Sequence, residues 1–172
     1  MLISETYRDL NSQLHAGGSY GRKGDKWAAK VSQLIDEYQI STVLDYGCGQ
    51  GALGRALSVD IREYDPAIAE KSAPPMPAQL VVCTDVLEHV EPDCLDGVLD
   101  HLASLAERVL FVVVSTRAAK KFLADGRNAH LIVESDDFWR ERLESRFDVA
   151  DWKRHGDEFA AVLPAKAAAT PK

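Results

Sequence analysis

Hydrophobic residues recur at helical spacing in three segments of the chain. Residues 4–16 carry Tyr7, Leu10 and Leu14 on one face and end at a glycine pair, which suits the end of a helix. A second stripe runs through residues 27–38, with Asp25 as the expected N-cap. The third stripe follows Asp93 and comprises Leu95, Val98, Leu99, Leu102 and Leu105. Further helices are expected at residues 52–57 and 136–146, and the first of these is short.

Runs of aliphatic and β-branched residues between these helices predict strands at 40–44, 59–64, 80–83 and 109–114. Two later β-rich pieces, 147–153 and 158–163, are separated by a short polar turn and predict an antiparallel hairpin. The proline-rich residues 73–77 must form a loop, because each proline lacks an amide donor. This alternation predicts an α/β fold: a Rossmann-like, mostly parallel sheet with helices on both faces and a C-terminal antiparallel hairpin.

Chain length sets the expected domain organisation. A chain of 172 residues with 46% hydrophobic residues suits one packed core, so we expect a single domain over residues 1–163. Its first 40 residues would hold the N-terminal helices, and residues 164–172 would form a disordered tail. Residues 19–24 are polar and glycine-rich, and they are interpreted either as a lid over a ligand or as a plain connector.

Cysteine content and charge narrow the cellular setting and the partners. Cys48, Cys83 and Cys94 are odd in number and widely spaced, which favours reduced thiols and a cytoplasmic protein. No stretch approaches the ~20 apolar residues of a membrane span, and the N-terminus lacks the pattern of a signal peptide. The net charge of -7 argues against generic nucleic-acid binding, although a local basic groove is compatible with it.

A glycine-rich turn follows the first predicted strand, in the sequence Val43-Leu44-Asp45-Tyr46-Gly47-Cys48-Gly49-Gln50-Gly51. Its glycines allow a sharp turn and bring backbone N–H groups close to a ligand. The sequence resembles the first motif of class I S-adenosylmethionine (SAM)-dependent methyltransferases. The resemblance implies that Asp45 positions the methionine portion of SAM. It also implies that the backbone at Gly47, Cys48, Gly49 and Gly51 approaches this cofactor.

Two further motifs follow in the order expected of that family. Tyr64-Asp65-Pro66-Ala67 is similar to the end of its second strand, which implies that Asp65 binds the ribose hydroxyls. Asp60 and Glu63 compete for this role, and Asp65 could also cap a helix. The sequence from Val82 to Val90 is similar to the fourth-strand motif, which places Thr84 and Asp85 beside the cofactor.

The chain departs from the family after its second strand. The proline-rich stretch leaves too little room for the family's third strand and for the acidic residue near adenine. We therefore expect the third strand to be missing or degenerate, the sheet to have about six strands, and the adenine contacts to remain open.

Methyltransferases of this family align an acceptor behind the methyl group of SAM, and a base helps a hydroxyl acceptor to lose its proton. His89, within the fourth-strand motif, is the first candidate for this base. His130, in the long connection after the next strand, is the second. For each histidine a purely structural role is the alternative.

The fourth-strand motif also raises the question of a metal. A helix beginning near Asp85 would place Asp85, Glu88 and His89 on one face, at positions i, i+3 and i+4. This spacing resembles the site of metal-dependent O-methyltransferases, with His130 as a further ligand and Glu88 as a candidate catalytic residue. Because the sequence Asp85-Val86-Leu87-Glu88-His89 also resembles that of metal-free members, the metal-free interpretation is preferred.

The resemblance thus implies a SAM-dependent methyltransferase acting on an oxygen or nitrogen of a small polar acceptor. Four basic residues in the late connection could receive an anionic acceptor or form a solvated surface: Arg117, Lys120, Lys121 and Arg127. The alternatives are a nucleic-acid or nucleotide methyltransferase and a noncatalytic SAM-binding module. A nicotinamide-binding enzyme, suggested by the spacing of Gly49, Gly51 and Gly54, is a further alternative.

Overall fold

A six-stranded sheet forms the centre of the protein. The computed structural model describes residues 1–16 and 24–167. Its strands are β1 (Val43–Tyr46), β2 (Arg62–Tyr64), β3 (Ala78–Thr84), β4 (Ala106–Ser115), β5 (Asp151–His155) and β6 (Glu158–Pro164). They lie in the order β2-β1-β3-β4-β6-β5. The first four strands pair in parallel, whereas β6 runs antiparallel to both β4 and β5, so the predicted fold class is confirmed.

Five α-helices connect and cover the strands in the described part of the chain. They are α1 (Glu5–Ala16), α2 (Ala28–Glu37), α3 (Ala52–Ala56), α4 (Leu95–Leu105) and α5 (Asp136–Glu144). The predicted apolar stripe of α4 is buried at all five positions. The expected cap of α2 is wrong, because Asp25 lies within a 3-10 turn, Gly24–Trp27, and Trp27 occupies the N-cap position instead. Of the predicted lid, only Gly24 lies within the described residues.

The two faces of the sheet carry separate buried clusters. Side chains alternate along each strand, so neighbouring residues of one strand join different clusters. The larger cluster contains residues of α4 and α5, such as Leu99 and Trp139. The smaller contains Val31 and Leu34 of α2 and Leu53 of α3. Helices therefore cover both faces, as predicted. In the described residues we find no helix with the length and apolar character needed to cross a membrane.

Strand boundaries differ from the sequence prediction by a few residues. After β2 the chain makes a 3-10 turn at Ala69–Lys71 and a loop, and β3 then pairs directly with β1. Within the described residues the family's third strand is thus missing, as expected. The hairpin begins at Asp151 rather than at Phe147. Pro164, assigned to the tail from the sequence, is the last residue of β6, and residues 168–172 lie outside the described part.

Candidate active site

A cavity of about 640 Å³ opens at the carboxyl ends of the central strands. This edge is where parallel α/β sheets hold their ligands. Its lining includes residues of the glycine turn, of the segments that follow β2, β3 and β4, of α1 and of the turn between β5 and β6. Predicted site residues in the lining are Gly47, Gly49, Asp65, Asp85, His89 and His130. Asp45, Cys48, Gly51, Thr84 and Glu88 are not among the described residues that line it.

The glycine turn owes its shape to left-handed backbone conformations. Gly47 has φ +76°, and a Cβ built on it would collide with the side chain of Val86. Its N–H and that of Cys48 donate to the Tyr64 carbonyl, at 2.7 and 3.1 Å. A side chain at position 47 is therefore opposed by both the backbone conformation and the neighbouring residue. Gly51 faces Glu63 instead, which is a packing reason for that glycine.

Asp65 fastens the glycine turn to the end of β2. One carboxylate oxygen accepts from the Gly49 N–H at 3.0 Å, and the other accepts from the Ala67 N–H at 2.9 Å. The competing Glu63 pairs with Lys71 at 2.8 Å, and Lys71 also donates to the Gly49 carbonyl at 3.0 Å. Among the three acidic residues considered for the ribose, Asp65 is the one that lines the cavity.

Asp45 is buried at the end of β1, with 5% of its surface exposed. Burial raises the pKa of its carboxyl group to about 7; Glu63 adds to this effect and Lys71 opposes it. Burial also raises the pKa of the Cys48 thiol, which favours the protonated thiol over the nucleophilic thiolate. None of the three cysteines is in a disulfide, as the sequence predicted, and all three are buried.

The chain leaves β3 through a reversal at Asp85, which has φ +56°. Its N–H donates to the Val113 carbonyl at 3.0 Å, and its carboxylate pairs with Lys26 at 3.4 Å. A single 3-10 turn, Leu87–His89, follows. The sequence allowed a helix beginning near Asp85, but only this single 3-10 turn forms there. Asp85, Glu88 and His89 therefore do not share the face that such a helix would have given them.

His89 and His130 are brought together although 41 positions separate them in the sequence. Their ring centroids lie 4.7 Å apart at an interplanar angle of 89°. His89 Nδ1 bonds to the Ala129 carbonyl at 2.7 Å, and His130 Nδ1 bonds to the Arg117 carbonyl at 2.6 Å. Because a carbonyl only accepts, each Nδ1 carries a hydrogen, and Nε2 of a neutral ring then carries a lone pair. Burial lowers the pKa of His130, which favours that neutral form.

Glu88 lies close to the two histidines and is fully buried. Its Oε1 accepts from the Ser115 N–H at 3.0 Å, whereas Oε2 has no hydrogen-bond partner among the described residues. Burial, with a contribution from Asp85, raises the pKa of Glu88 to about 8. Donor atoms of Glu88, His89 and His130 all lie within 4.8 Å of one another. Of the four ligands considered from the sequence, three cluster and Asp85 does not.

Comparison with known proteins adds the fold family. No protein-family model and no curated protein matches the chain. A solved magnesium protoporphyrin IX methyltransferase (ChlM) from Synechocystis PCC 6803, with bound S-adenosylhomocysteine (SAH), is similar over 82% of this chain and 81% of its own, with a TM-score of 0.56 and 18% identity. The 1,6-didemethyltoxoflavin-N1-methyltransferase of Burkholderia thailandensis matches 94% of this chain and 88% of its own, with a TM-score of 0.64 and 14% identity. A solved DhpI–SAH complex is similar over 96% of this chain and 100% of its own, with a TM-score of 0.62 and 14% identity.

The chain has the class I methyltransferase fold. Both the order of its strands and the antiparallel β6 fit this assignment. At such identities the likeness concerns the fold, so the role of each residue of this methyltransferase fold has to be argued from its own contacts.

Helix α1 covers the cavity in this version of the methyltransferase fold, which the sequence did not suggest. The Ser4 N–H and hydroxyl both donate to the Glu91 carboxylate, each at 2.8 Å. The Tyr7 hydroxyl donates to the His89 carbonyl, and Asn11 donates to the Tyr7 carbonyl at 3.2 Å. The available signal was Tyr7, a polar aromatic residue on an otherwise aliphatic stripe. The bonds from Ser4 and Tyr7 hold α1 against the segment that carries His89, whereas the Asn11 bond lies within the helix.

Basic and acidic side chains share the outer part of the cavity. Arg117, Lys120 and Lys121 line it, whereas Arg127 lies over the Tyr7 ring and pairs with Asp125. Acidic residues in the same lining include Glu91, Asp157 and Glu158. Asn128 shapes this loop, because its side chain bonds to both backbone groups of Ala119 and to the His130 N–H, all at 2.9 Å. The predicted basic cluster is therefore divided, and its cavity-lining part has neighbours of both signs.

Proposed function

We propose that residues 1–163 form one SAM-dependent methyltransferase domain that methylates an oxygen or nitrogen of a small polar acceptor in the cytoplasm. One observation carries this proposal: a single cavity is lined by the glycine turn with Asp65 and also by His89 and His130. We call the first set, Gly47, Gly49 and Asp65, the donor end. We call the second set, Glu88, His89 and His130, the acceptor end. The cavity volume lies within the range of small-molecule sites.

The donor end fits SAM by shape and by chemistry. Gly47 and Gly49 present backbone without side chains, which permits the close approach of a ligand. A carboxylate can accept about four hydrogen bonds, so the two N–H donors on Asp65 are compatible with a role toward the ribose diol. In this proposal Asp45 stabilises the ammonium of the methionine portion, and Thr84 and Asp85 lie beside the cofactor.

The acceptor end fits a polar nucleophile. SAM supplies a methyl group on a positively charged sulfur, which leaves as a neutral thioether. The acceptor oxygen or nitrogen forms its bond to the methyl carbon while the carbon–sulfur bond breaks, and the electron pair stays with the sulfur. The acceptor also releases a proton, and an imidazole Nε2 bearing a lone pair suits its removal. This role is proposed for His89 first and for His130 second.

Two comparisons support a small acceptor. The 1,6-didemethyltoxoflavin-N1-methyltransferase contains bound 1,6-didemethyltoxoflavin together with SAH, and ChlM is a magnesium protoporphyrin IX methyltransferase. Methylation of a nucleotide or nucleic acid is the second candidate, because Arg117, Lys120 and Lys121 line the cavity. Acidic residues of the same lining, Asp157 and Glu158, favour the first.

Two measurements test the proposal. Calorimetry should detect SAM and SAH binding to the full chain and no comparable binding of NAD. Incubation with isotope-labelled SAM and separate pools of metabolites and of RNA or DNA, followed by mass spectrometry, should label a small molecule. Labelled nucleic acid would favour the second candidate, and binding without any labelled acceptor would indicate a noncatalytic module. A folded sample that binds neither SAM nor SAH would refute the proposal.

A further inference from the structure

The buried Glu88 carboxylate contains an atom whose interactions are incomplete. Its Oε2 is shielded from solvent and has no hydrogen-bond partner among the described residues, although Oε1 is bonded to the Ser115 N–H. Nearly all buried polar atoms of proteins have a partner, and an exception requires an explanation, such as a bound ion. Two imidazoles, those of His89 and His130, lie close to this carboxylate, and imidazoles are common metal ligands.

Both imidazoles are oriented as metal-binding histidines are. Such histidines typically donate one ring N–H to a carbonyl or carboxylate, which leaves the other nitrogen for the ion. His89 and His130 each donate Nδ1–H to a backbone carbonyl, that of Ala129 and that of Arg117. These partners are main-chain groups, so the ring orientations are part of the fold. The three donors lie within 4.8 Å of one another.

We propose that Glu88, His89 and His130 bind one divalent first-row transition-metal ion at the acceptor end. Two nitrogen ligands and one carboxylate favour Mn²⁺, Fe²⁺, Co²⁺ or Zn²⁺, whereas Mg²⁺ and Ca²⁺ prefer sites made of oxygen ligands. His89 and His130 line the cavity, so an ion that they hold would lie beside the space for the acceptor. Asp85 is outside this ligand set, because Lys26 pairs with its carboxylate.

The role of the ion toward the acceptor rests on the proposed methyl transfer, whereas binding of the ion does not. A divalent ion lowers the pKa of a hydroxyl group that it holds, so it would favour an oxygen acceptor. The hydroxyl proton would go to water as the oxygen–methyl bond forms and the carbon–sulfur bond breaks with its electron pair on sulfur. In this version the two histidines hold the ion instead of taking the proton.

Metal titrations of the full chain test the site. After EDTA treatment and dialysis, calorimetry with Mn²⁺, Co²⁺ and Mg²⁺ should give one site for Mn²⁺ and Co²⁺ and much weaker binding of Mg²⁺. Loss of a hydrogen-bond partner of a ligand costs ~10–100-fold in metal affinity, so loss of a ligand should cost at least as much. We expect this loss for Glu88→Gln and for His130→Asn.

Matched controls separate this site from other sites. Asp85→Asn removes the carboxylate that a helical face would have contributed, and His101→Asn removes a histidine outside the cluster. Both should retain the Co²⁺ affinity of the unmodified protein. The Co²⁺ spectrum should lack the near-ultraviolet thiolate bands that would place the ion on a cysteine.

Each result bears on the metal site separately from the methyl transfer. The metal proposal is overturned if the chain binds no transition-metal ion, if Glu88→Gln and His130→Asn bind Co²⁺ normally, or if Asp85→Asn loses it. His130 is partly exposed, so His130→Asn decides the matter if Glu88→Gln does not fold. SAH binding is measured in the same samples. SAH binding without metal binding leaves the proposed function intact, whereas metal binding without SAH binding refutes only that function.

Discussion

The donor end of the cavity is built from two short stretches of chain, whereas the acceptor end is assembled from several distant ones. Backbone groups of the glycine turn bond directly to Tyr64 and Asp65, at the end of the neighbouring strand. The acceptor end joins the turn after β3 to the Ser115 N–H and to a loop 40 residues away, and α1 packs against it. A local motif can therefore encode the first, while only the tertiary structure positions the second.

Gly47→Val should produce the largest effect, and it should be confined to the donor end. The new side chain would collide with Val86 and would impose a left-handed φ on a β-branched residue. We expect SAH binding to disappear in calorimetry. Gly126→Val is the matched control, because Gly126 has φ +87° but no atom near the position of a new Cβ. If Gly47→Val binds SAH normally, the glycine turn does not hold the cofactor.

Asp65→Ala should weaken SAH binding, by less than Gly47→Val does. It removes both the carboxylate proposed for the ribose and the two bonds that hold the turn. Hydrogen bonds to charged groups contribute about 1.5–3 kcal/mol, which corresponds to roughly 10–100-fold in affinity. Asp60→Ala is the control, because Asp60 is exposed and precedes β2. Equal losses for both variants would contradict the assignment of Asp65.

The pKa of Asp45 predicts a pH dependence at the donor end. Burial raises this pKa to about 7, so Asp45 is largely protonated at pH 6 and ionised at pH 8. An ionised carboxylate is needed to stabilise the SAH ammonium, so SAH affinity should rise about tenfold over this interval. Calorimetry from pH 6 to 8 measures the change. Asp45→Asn should bind more weakly at pH 8 and lose the dependence; a parallel slope in this variant would exclude Asp45.

The raised pKa of Asp45 also affects stability: the free energy of unfolding should fall as pH rises, whereas SAH affinity should rise. The folded protein holds the Asp45 proton up to about pH 7, whereas an unfolded aspartate releases it near its ordinary value of 3.8. Because the folded state binds more protons between these values, the Asp45 contribution to the free energy of unfolding falls as pH rises from about 4 to 7. Denaturant titrations of the ligand-free protein and of Asp45→Asn over this interval would measure it.

Sequence patterns predicted the fold and the donor end because both depend on local signals. Each signal has a direct physical cause. Examples are the apolar stripe of α4, the glycines at 47 and 49, and the short segment between β2 and β3. The helix considered at Asp85 does not form: Asp85 is left-handed, and its N–H donates to the Val113 carbonyl of β4. Spacing along the chain contains no information about a bond to another strand.

At the acceptor end, the sequence indicated the candidate residues but not which of them lie together. His89 and His130 were both identified as candidates, but their proximity follows from the carbonyls of Ala129 and Arg117, which orient the rings. The buried Glu88 carboxylate is held by its bond to the Ser115 N–H at the end of β4. Residue type thus indicated which groups could act, and long-range backbone bonds determined which of them meet.

Tyr7→Phe should produce the smallest effect, and it should be confined to the acceptor end. It removes the hydroxyl that bonds to the His89 carbonyl while keeping the buried ring. A neutral hydrogen bond contributes about 0.5–1.5 kcal/mol, so local opening of α1 should become roughly 2–10-fold more frequent. Hydrogen exchange of the α1 amides measures this opening. Tyr38→Phe, which changes a tyrosine outside the cavity, should leave the hydrogen exchange of α1 unchanged.

SAH affinity should stay constant in both variants, because α1 is anchored to the acceptor end and the glycine turn keeps its own bonds. A loss of SAH affinity in Tyr7→Phe would show that the two ends of the cavity are coupled through α1.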